Sequence, residues 1–442
     1  MRGGLIKFLF LLLISTSLLA VNDESLSFES YLNSLKHSNL SLKVKRNELK
    51  KKELDLKHGY YSFLPKIDFN YGATISSTND NAFSSFLPSS SPKNPSWNKS
   101  LTINLPIFLG GKRFDYIKIA SSNKKLSSYD LEASILELKS RAVTLFIKAY
   151  NSQNQLPILE KSLELAKQNY ENALVLKSVD RIVEVDLLTF KLSYEERNNA
   201  ILNLKMELNN AFIELSSLVN KDIEIKKLII EQEIPDNIKK MSKDDLIKFY
   251  IKKMKNYSPV VKKIREYHQI SKYNLDLSFK NYYPNISMRY NYSPYTDNFW
   301  EFPLTKGHSL SLVLSFNIFN SFLDSLEYKK NKFNVLNTDI ELKKLINAQE
   351  DAIKKAVNIL KNSLIQIESV KSAIKISKEK LEQIKIGYSL GKYNYLDLLK
   401  AENDWFSRQN NLLNLKMQIY NSYYQLQIIS ASIKSKTNNI KK

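Results

Sequence analysis

A chain of 442 residues without a single cysteine has no disulfide framework, no thiolate metal site and no thiol to carry an N-terminal lipid anchor. Nine glycines and eleven prolines are too few for an all-β or ordinary globular protein and point to long helices with few turns. The net charge of +21 invites nucleic-acid binding, but the lysines are spread along the chain and no zinc-finger, RNP-like or P-loop spacing is present. Biased use of Lys, Asn and Ile accounts for the surplus, and the sharper alternative is that part of it lines a pore.

Residues 1–20 read as a signal peptide: Arg2 and Lys7 form a positive n-region, Phe8 to Ile14 are unbroken apolar residues, and small residues lead to Ala20. The apolar run is shorter than the about 20 residues that span a bilayer as a helix. The competing reading is an amphipathic or buried N-terminal helix. No later stretch approaches transmembrane length, so the mature chain can enter a membrane only as a closed β-barrel, the other fold that satisfies every backbone hydrogen bond in lipid.

The remainder is two copies of one unit. Ile107-Phe108 recurs as Ile318-Phe319, Asp186-Leu187-Leu188 as Asp397-Leu398-Leu399, and Asn203-Leu204-Lys205-Met206 as Asn414-Leu415-Lys416-Met417, all at one offset. Pro65-Lys66-Ile67 matches Pro284-Asn285-Ile286, and Tyr71 matches Tyr290, at an offset eight residues larger. The difference therefore falls between Tyr71 and Ile107, in a loop longer in the first copy. Repeat 1 spans 21–219, with barrel strands about 66–77 and 99–109. A linker at 220–243 follows. Repeat 2 spans 244–435, with strands about 285–293 and 308–319, and 436–442 form a basic tail.

In each copy the strands alternate. Ile67, Phe69, Tyr71 and Ala73 alternate with Asp68, Asn70 and Gly72; Leu310, Leu312, Leu314 and Phe316 alternate with Ser309, Ser311 and Ser315, Val313 being the exception. One greasy and one wet face is the pattern of a lipid-facing barrel strand, and also of a half-buried strand in a soluble sheet. Tyr60, Tyr61, Phe63, Tyr282, Tyr283, Phe108 and Phe319 flank the strands on the helix side, where a membrane–water girdle would sit. Four strands cannot close a barrel, so the chain has to oligomerise to hide its edges.

The long helix of the second copy, roughly 322–389, carries two stripes. One is Ile353, Val357, Leu360, Leu364, Ile367 and Ile374, and the other is Ala352, Ala356, Ile359, Ser363, Val370 and Ala373. Two adjacent seams mean neighbours on two sides, as in a ring of helices. The last helix of each copy carries a seven-residue stripe: Leu187, Tyr194, Ile201, Leu208 and Leu215, then Leu398, Trp405, Leu412, Ile419 and Leu426. That period implies left-handed supercoiling. An elongated coiled-coil rod without a pore would show the same helices. His37, His58, His268 and His308 have no metal-ligand spacing, and no Gly-x-Ser-x-Gly or Gly-rich phosphate loop is present, so neither catalysis nor a metal or cofactor is expected.

The helix–strand–strand–helix repeat, Leu64-Pro65-Lys66-Ile67 before the first strand, Pro106-Ile107-Phe108 after the second, and Gly387-Tyr388-Ser389-Leu390-Gly391 followed by Tyr395-Leu396-Asp397-Leu398-Leu399-Lys400-Ala401 resemble TolC-like outer-membrane efflux proteins over about residues 22–435. The resemblance implies a mainly α fold with transmembrane β-strands: a long coiled-coil helical tunnel plus a β-barrel shared between protomers, four strands each and twelve in a trimer. It implies a homotrimer in outer-membrane lipid, working with a periplasmic adaptor (a membrane fusion protein) and an RND-type or ABC-type inner-membrane pump. It implies no catalysis and no nucleic acid. The helical body would lie in the periplasm, and the duct would serve efflux or type I secretion. The competing class is a periplasmic coiled-coil structural or adaptor protein that never spans the membrane.

The same resemblance places the periplasmic entrance at the turns 178–185 and 389–396, with Asp186 and Asp397 as inward aspartates, Tyr388 as a closing tyrosine and Gly391 as the turn glycine. Two departures stand out. Tyr393 occupies the place of the family's closing arginine, and Lys400 that of a second inward aspartate. The first copy has Asp180 in place of the turn glycine. Independently of any gate, Asn394 and Asp397 are spaced as a capping box, whereas Val183 in the matching place ahead of Asp186 cannot cap.

Overall fold

The computed structural model describes residues 25–74, 96–223, 227–230, 234–296, 300–303 and 306–431. The expected signal peptide, most of the longer first loop and the basic tail lie outside them. The elements in order are β1 (Ser25–Ser27), α1 (Phe28–Ser38), α2 (Leu40–Tyr61), β2 (Lys66–Thr74), β3 (Ser96–Leu109), α3 (Lys112–Ser178) and α4 (Glu184–Val219). There follow β4 (Lys227–Ile229), α5 (Asp236–Lys240), α6 (Lys243–Tyr257), α7 (Pro259–Phe279), β5 (Asn285–Tyr292), β6 (Tyr295–Thr296), β7 (His308–Ser315), α8 (Leu323–Ser389) and α9 (Tyr395–Ile429).

Helices α3 and α8 have 67 residues each, about 100 Å at about 1.5 Å per residue. Each turns back into a shorter partner, α4 or α9, to make a helical hairpin. The backbone carries the repeat as clearly as the sequence does. Among the described residues, all left-handed positions except Gly307 fall in pairs 211 positions apart: Gly110 and Ser321, Gly111 and Phe322, Asp180 and Gly391, Asn220 and Ala431. A left-handed non-glycine residue costs about 1–2 kcal/mol, so each such site is a torsion that the topology imposes on whatever residue stands there.

Between the hairpins and the sheet lies a belt of short elements. β1 pairs in parallel with β4, and α1 covers the first hairpin through a core of Phe28, Tyr31, Leu35, Phe146, Phe212 and Tyr424. The Tyr31 hydroxyl donates to the Leu215 carbonyl at 2.9 Å, which lets a tyrosine stand in that core. α6 does the same for the second hairpin, seating Leu246, Tyr250 and Met254 against Ile353, Val357 and Leu360. Lys361 ties the belt to α8: its ammonium donates to the carbonyls of Ile238, Lys239 and Met241, at 3.1, 2.9 and 2.5 Å, and so caps α5.

The strands form an antiparallel sheet in the order β2-β3-β5-β7, with β6 also on β3. Register puts Ile67, Ile103, Tyr290 and Leu310 on one face and Asp68, Thr102, Asn291 and Ser309 on the other. The polar face is laced by Thr102 to Asn291 at 2.9 Å and Asn70 to Ser100 at 3.3 Å. Pro106 lies in a central strand only because the ladder slips between Pro106 and Phe108, where a missing N–H does no harm. β7 ends at Ser315, short of the expected 319, because β5 begins at the partner residue Asn285 and the other side of β7 is a free edge. Among the described residues β2 is the opposite free edge.

Candidate functional site

Among the described residues the sheet has no second layer. Leu310 and Leu312 on β7 are 70% exposed, and Ile67 and Phe69 on β2 are exposed too, so the apolar face meets solvent in the single chain. Such a face, rimmed by aromatics, is stable against lipid and unstable in water. The helix-side rim is where the sequence put it, with Tyr60, Tyr61, Phe63, Tyr282 and Tyr283 all exposed. The loop-side rim escaped the sequence reading. Register brings Tyr71 beside Trp97 at 5.8 Å between rings, and His308 against Tyr292 at 4.8 Å. The Tyr290 hydroxyl and His308 Nδ1 are 2.8 Å apart. Lys99 interrupts that row, buried over Phe302 and donating to the Glu301 carbonyl at 2.6 Å. Among the described residues no helix is long and apolar enough to cross a membrane.

At the far end of the hairpins the two turns are built alike. Arg181 N–H donates to the Leu176 carbonyl at 2.9 Å, and Lys392 N–H donates to the Gly387 carbonyl at 2.8 Å. Both are six-to-one closures around a left-handed residue, Asp180 at φ 55° or Gly391 at φ 73°. Aspartate tolerates that region better than most residues, which is how the first turn forms without glycine.

The starts of the final helices differ. Asn394 accepts from the Asp397 N–H at 2.9 Å while Asp397 accepts from the Asn394 N–H at 3.2 Å, a complete capping box. Asp186 has no such duty, since Val183 offers no side-chain cap. Asp186 instead lies near Tyr388 of the other hairpin. Burial first, and then the Asp186 carboxylate, raise the Tyr388 phenol above its ordinary value. Tyr393 lies over Gly387: a Cβ there would sit 2.4 Å from the ring carbon Cδ2. Lys400 is exposed on α9.

Two contacts that the sequence reading missed join the hairpins. Phe190 of α4 and Tyr395 of α9 have ring centroids 3.4 Å apart, in a cluster with Ala173, Ile182 and Tyr388. Burial pushes the Tyr395 phenol up to about 12. Seven residues farther along each helix, Arg197 Nη2 meets Glu402 Oε2 at 3.4 Å. Arg197 also donates to Ser162 Oγ and carbonyl at 2.7 and 2.9 Å and to Asn403 Oδ1 at 3.1 Å, while Asn169 donates to Glu402 Oε1 at 3.1 Å. The signal was in the sequence: Phe190, Arg197, Leu204, Ala211 and Leu218 form a seven-residue stripe whose one charge is Arg197.

The family profile described as outer membrane efflux protein matches residues 31–221. Among curated proteins none is similar enough in sequence to match. The CmeC outer membrane channel of Campylobacter jejuni superposes with a TM-score of 0.78 at 17% identity, covering 93% of this chain and 88% of that one. The outer membrane protein VceC of Vibrio cholerae gives 0.77 at 12% identity, covering 91% and 95%. The open-state MtrE outer membrane channel of Neisseria gonorrhoeae gives 0.74 at 12%, covering 91% and 88%. Identities this low speak for the fold, and the fold is shared over nine-tenths of the chain. The profile match thus covers the first repeat, and the fold of these outer membrane channels extends over both.

Proposed function

We propose that this chain is one protomer of an outer-membrane exit duct, which passes solutes across the periplasm and outer membrane for a tripartite pump. The observation that carries the reading is the join between an open sheet, apolar on one face, and two helices about 100 Å long. The sheet has two free edges, β2 and β7, at opposite ends. Pairing the β7 of one copy with the β2 of the next is a heterologous contact that closes into a ring, and three copies would supply twelve ladder strands. The Ser- and Asn-rich face then lines water and the Leu-rich face meets lipid. A soluble periplasmic rod has no use for that exposed apolar face.

The helical body lies in the periplasm, and its tip, with Asp186, Asp397, Tyr388, Tyr393, Lys400 and Gly391, forms the entrance. Around the tip Val175, Val179, Val185, Leu188, Leu390 and Leu396 are exposed, an apolar crown suited to an adaptor's own helical tip. No step of catalysis is assigned. The partners are a second and third copy, a periplasmic adaptor and an inner-membrane pump of the RND or ABC class. Cross-linking the tagged protein in its own cells, extracting with detergent and identifying what is attached tests this. A proton-driven pump with its adaptor makes small-molecule efflux the function, and an ATP-driven exporter makes it secretion. Release by alkali with no inner-membrane partner would return the chain to the periplasmic coiled-coil class.

A further inference from the structure

The charge surplus of the chain has one place in the sheet where nothing opposes it. Among the described residues, the wet face of β2, β3, β5 and β7 carries three charged side chains, Lys66, Asp68 and Arg289. Lys66 and Asp68 pair at 2.8 Å along β2, so their charges cancel. Arg289 is exposed on the central strand β5, opposite Asn104 of β3 and Ser311 of β7. Ser287 and Asn291 flank it on the same face of its own strand. None of these can neutralise a guanidinium. Asp68 lies two strands away, about 10 Å in lateral separation alone, and is already held by Lys66.

The internal repeat shows that neither the strand nor its register calls for this arginine. Tyr71 matches Tyr290, so Asn70 of the first copy stands where the second has Arg289. Asn70 donates to Ser100 Oγ at 3.3 Å, a neutral amide tied into the wall. A closed ring of three copies would therefore alternate its matching positions between amide and guanidinium, with like charges spaced evenly around the bore. Twelve strands at the usual barrel tilt give a backbone ring about 24 Å across. Long arginines reaching inward from it leave no part of the bore farther from a cation than about 10 Å, the Debye length at about 0.1 M salt. Low-dielectric walls focus such a field, and rings of basic side chains are how pores admit anions.

We propose that Arg289 forms a threefold cationic ring inside the barrel, a transit site that favours anionic solutes over cations. The proposal rests on the reading of the sheet as one third of a barrel whose wet face lines water, and it adds a class of solute to that reading. A wall of serine, threonine and asparagine alone would pass either sign alike. The tip aspartates Asp186 and Asp397 lie beyond helices about 100 Å long, about ten Debye lengths away, so ring and entrance act on ions independently.

The test is the reversal potential of the purified trimer in planar bilayers under a potassium chloride gradient. Because the tip aspartates add a preference of their own, the difference between variants is read rather than the absolute sign. Arg289→Ser is expected to lower the chloride-to-potassium permeability ratio about twofold or more at about 0.1 M salt, and to matter less at about 1 M, where the Debye length is about 3 Å. Arg289→Glu is expected to lower it further, and Arg289→Lys and the control Asn70→Ser to match the parent. The chain has no cysteine, so Arg289→Cys offers a charged thiosulfonate one thiol per protomer in channels already assembled, which also covers a glutamate variant that fails to trimerise. A cationic reagent is expected to restore the parent's ratio and an anionic one to lower it further. Equal ratios in the parent, serine and glutamate variants, or a cysteine channel that neither reagent alters, overturn the ring while leaving the channel intact. Absence of any conductance from the unsubstituted protein overturns the channel reading beneath it.

Discussion

Asp180 and Gly391 occupy the same left-handed position in two turns 211 residues apart, at φ 55° and 73°. The backbone requirement is common to both copies, and only the residue meeting it differs. A Cβ on Gly391 would touch nothing within 4 Å, so the cost of adding one there is torsional rather than steric. Gly391→Ala is expected to lower stability by about 1 kcal/mol, and Gly391→Asp by less. Asp180→Gly relieves torsion but loosens the unfolded chain, and should leave stability within about 0.5 kcal/mol of the parent. Thermal unfolding in detergent reads all three, and a large loss from Asp180→Gly would contradict the shared turn geometry.

Tyr393 and Gly387 make a second, tighter test of the same turn. Gly387→Ala forces the Tyr393 ring off its seat, since the added carbon would lie 2.4 Å from it. The expected result is a loss of about 1–3 kcal/mol, the usual cost of overpacking. In a Tyr393→Ala background the same substitution should cost almost nothing. A cost that persists without the ring would mean that the clash lies elsewhere.

The paired aspartates separate into different roles. Asp397 completes a capping box, so Asp397→Ala and Asn394→Ala should each cost about 1 kcal/mol of stability. Asp186 caps nothing and should be nearly silent in unfolding. If both carboxylates also face the entrance, removing Asp186 and Asp397 together weakens block by divalent or trivalent cations, and Asn394→Ala does not. Unchanged block in the double aspartate variant would remove both from the entrance and leave Asp397 a cap alone.

Much of this was legible in the sequence, and the exceptions have physical reasons. Alternation over Ile67–Ala73 and Leu310–Leu314 revealed the strands because a two-faced sheet demands it, and the seven-residue stripes revealed the hairpins. The capping box could be read from Asn394 and Asp397 alone, because its partners are three residues apart. The loop-side aromatic row was missed because Trp97 meets Tyr71, and His308 meets Tyr292, only through cross-strand register. Phe190–Tyr395 and Arg197–Glu402 were missed because they join helices about two hundred residues apart, and nothing local distinguishes a charge on a heptad stripe from a solvated one.

The upper body offers a pH test away from the entrance. The Asp130 carboxylate of α3 is bound by Lys45 of α2, at 2.9 Å, and by Lys263 of α7. Burial acts to raise its pKa, but the hydrogen bonds from Lys263 and Lys45 outweigh it and hold the group below its ordinary 3.8. A depressed folded pKa means stabilisation that is complete above the unfolded value and lost as pH falls through the folded one. Asp130→Asn should therefore cost about 1–2 kcal/mol at neutral pH. The gap from the parent should close as pH falls below about 4. A gap that stays constant from pH 7 to 3 would show that the ion pairs are not what Asp130 contributes.

The most direct measurement is made on the unsubstituted protein. Purified from membranes in detergent, it should have the mass of three chains, and in planar bilayers it should give discrete, long-lived conductance steps. Those steps would mean that the free edges β2 and β7 have closed a water-filled barrel between copies. A monomer that alkali strips from membranes, and that conducts nothing after reconstitution, would contradict the exit duct outright.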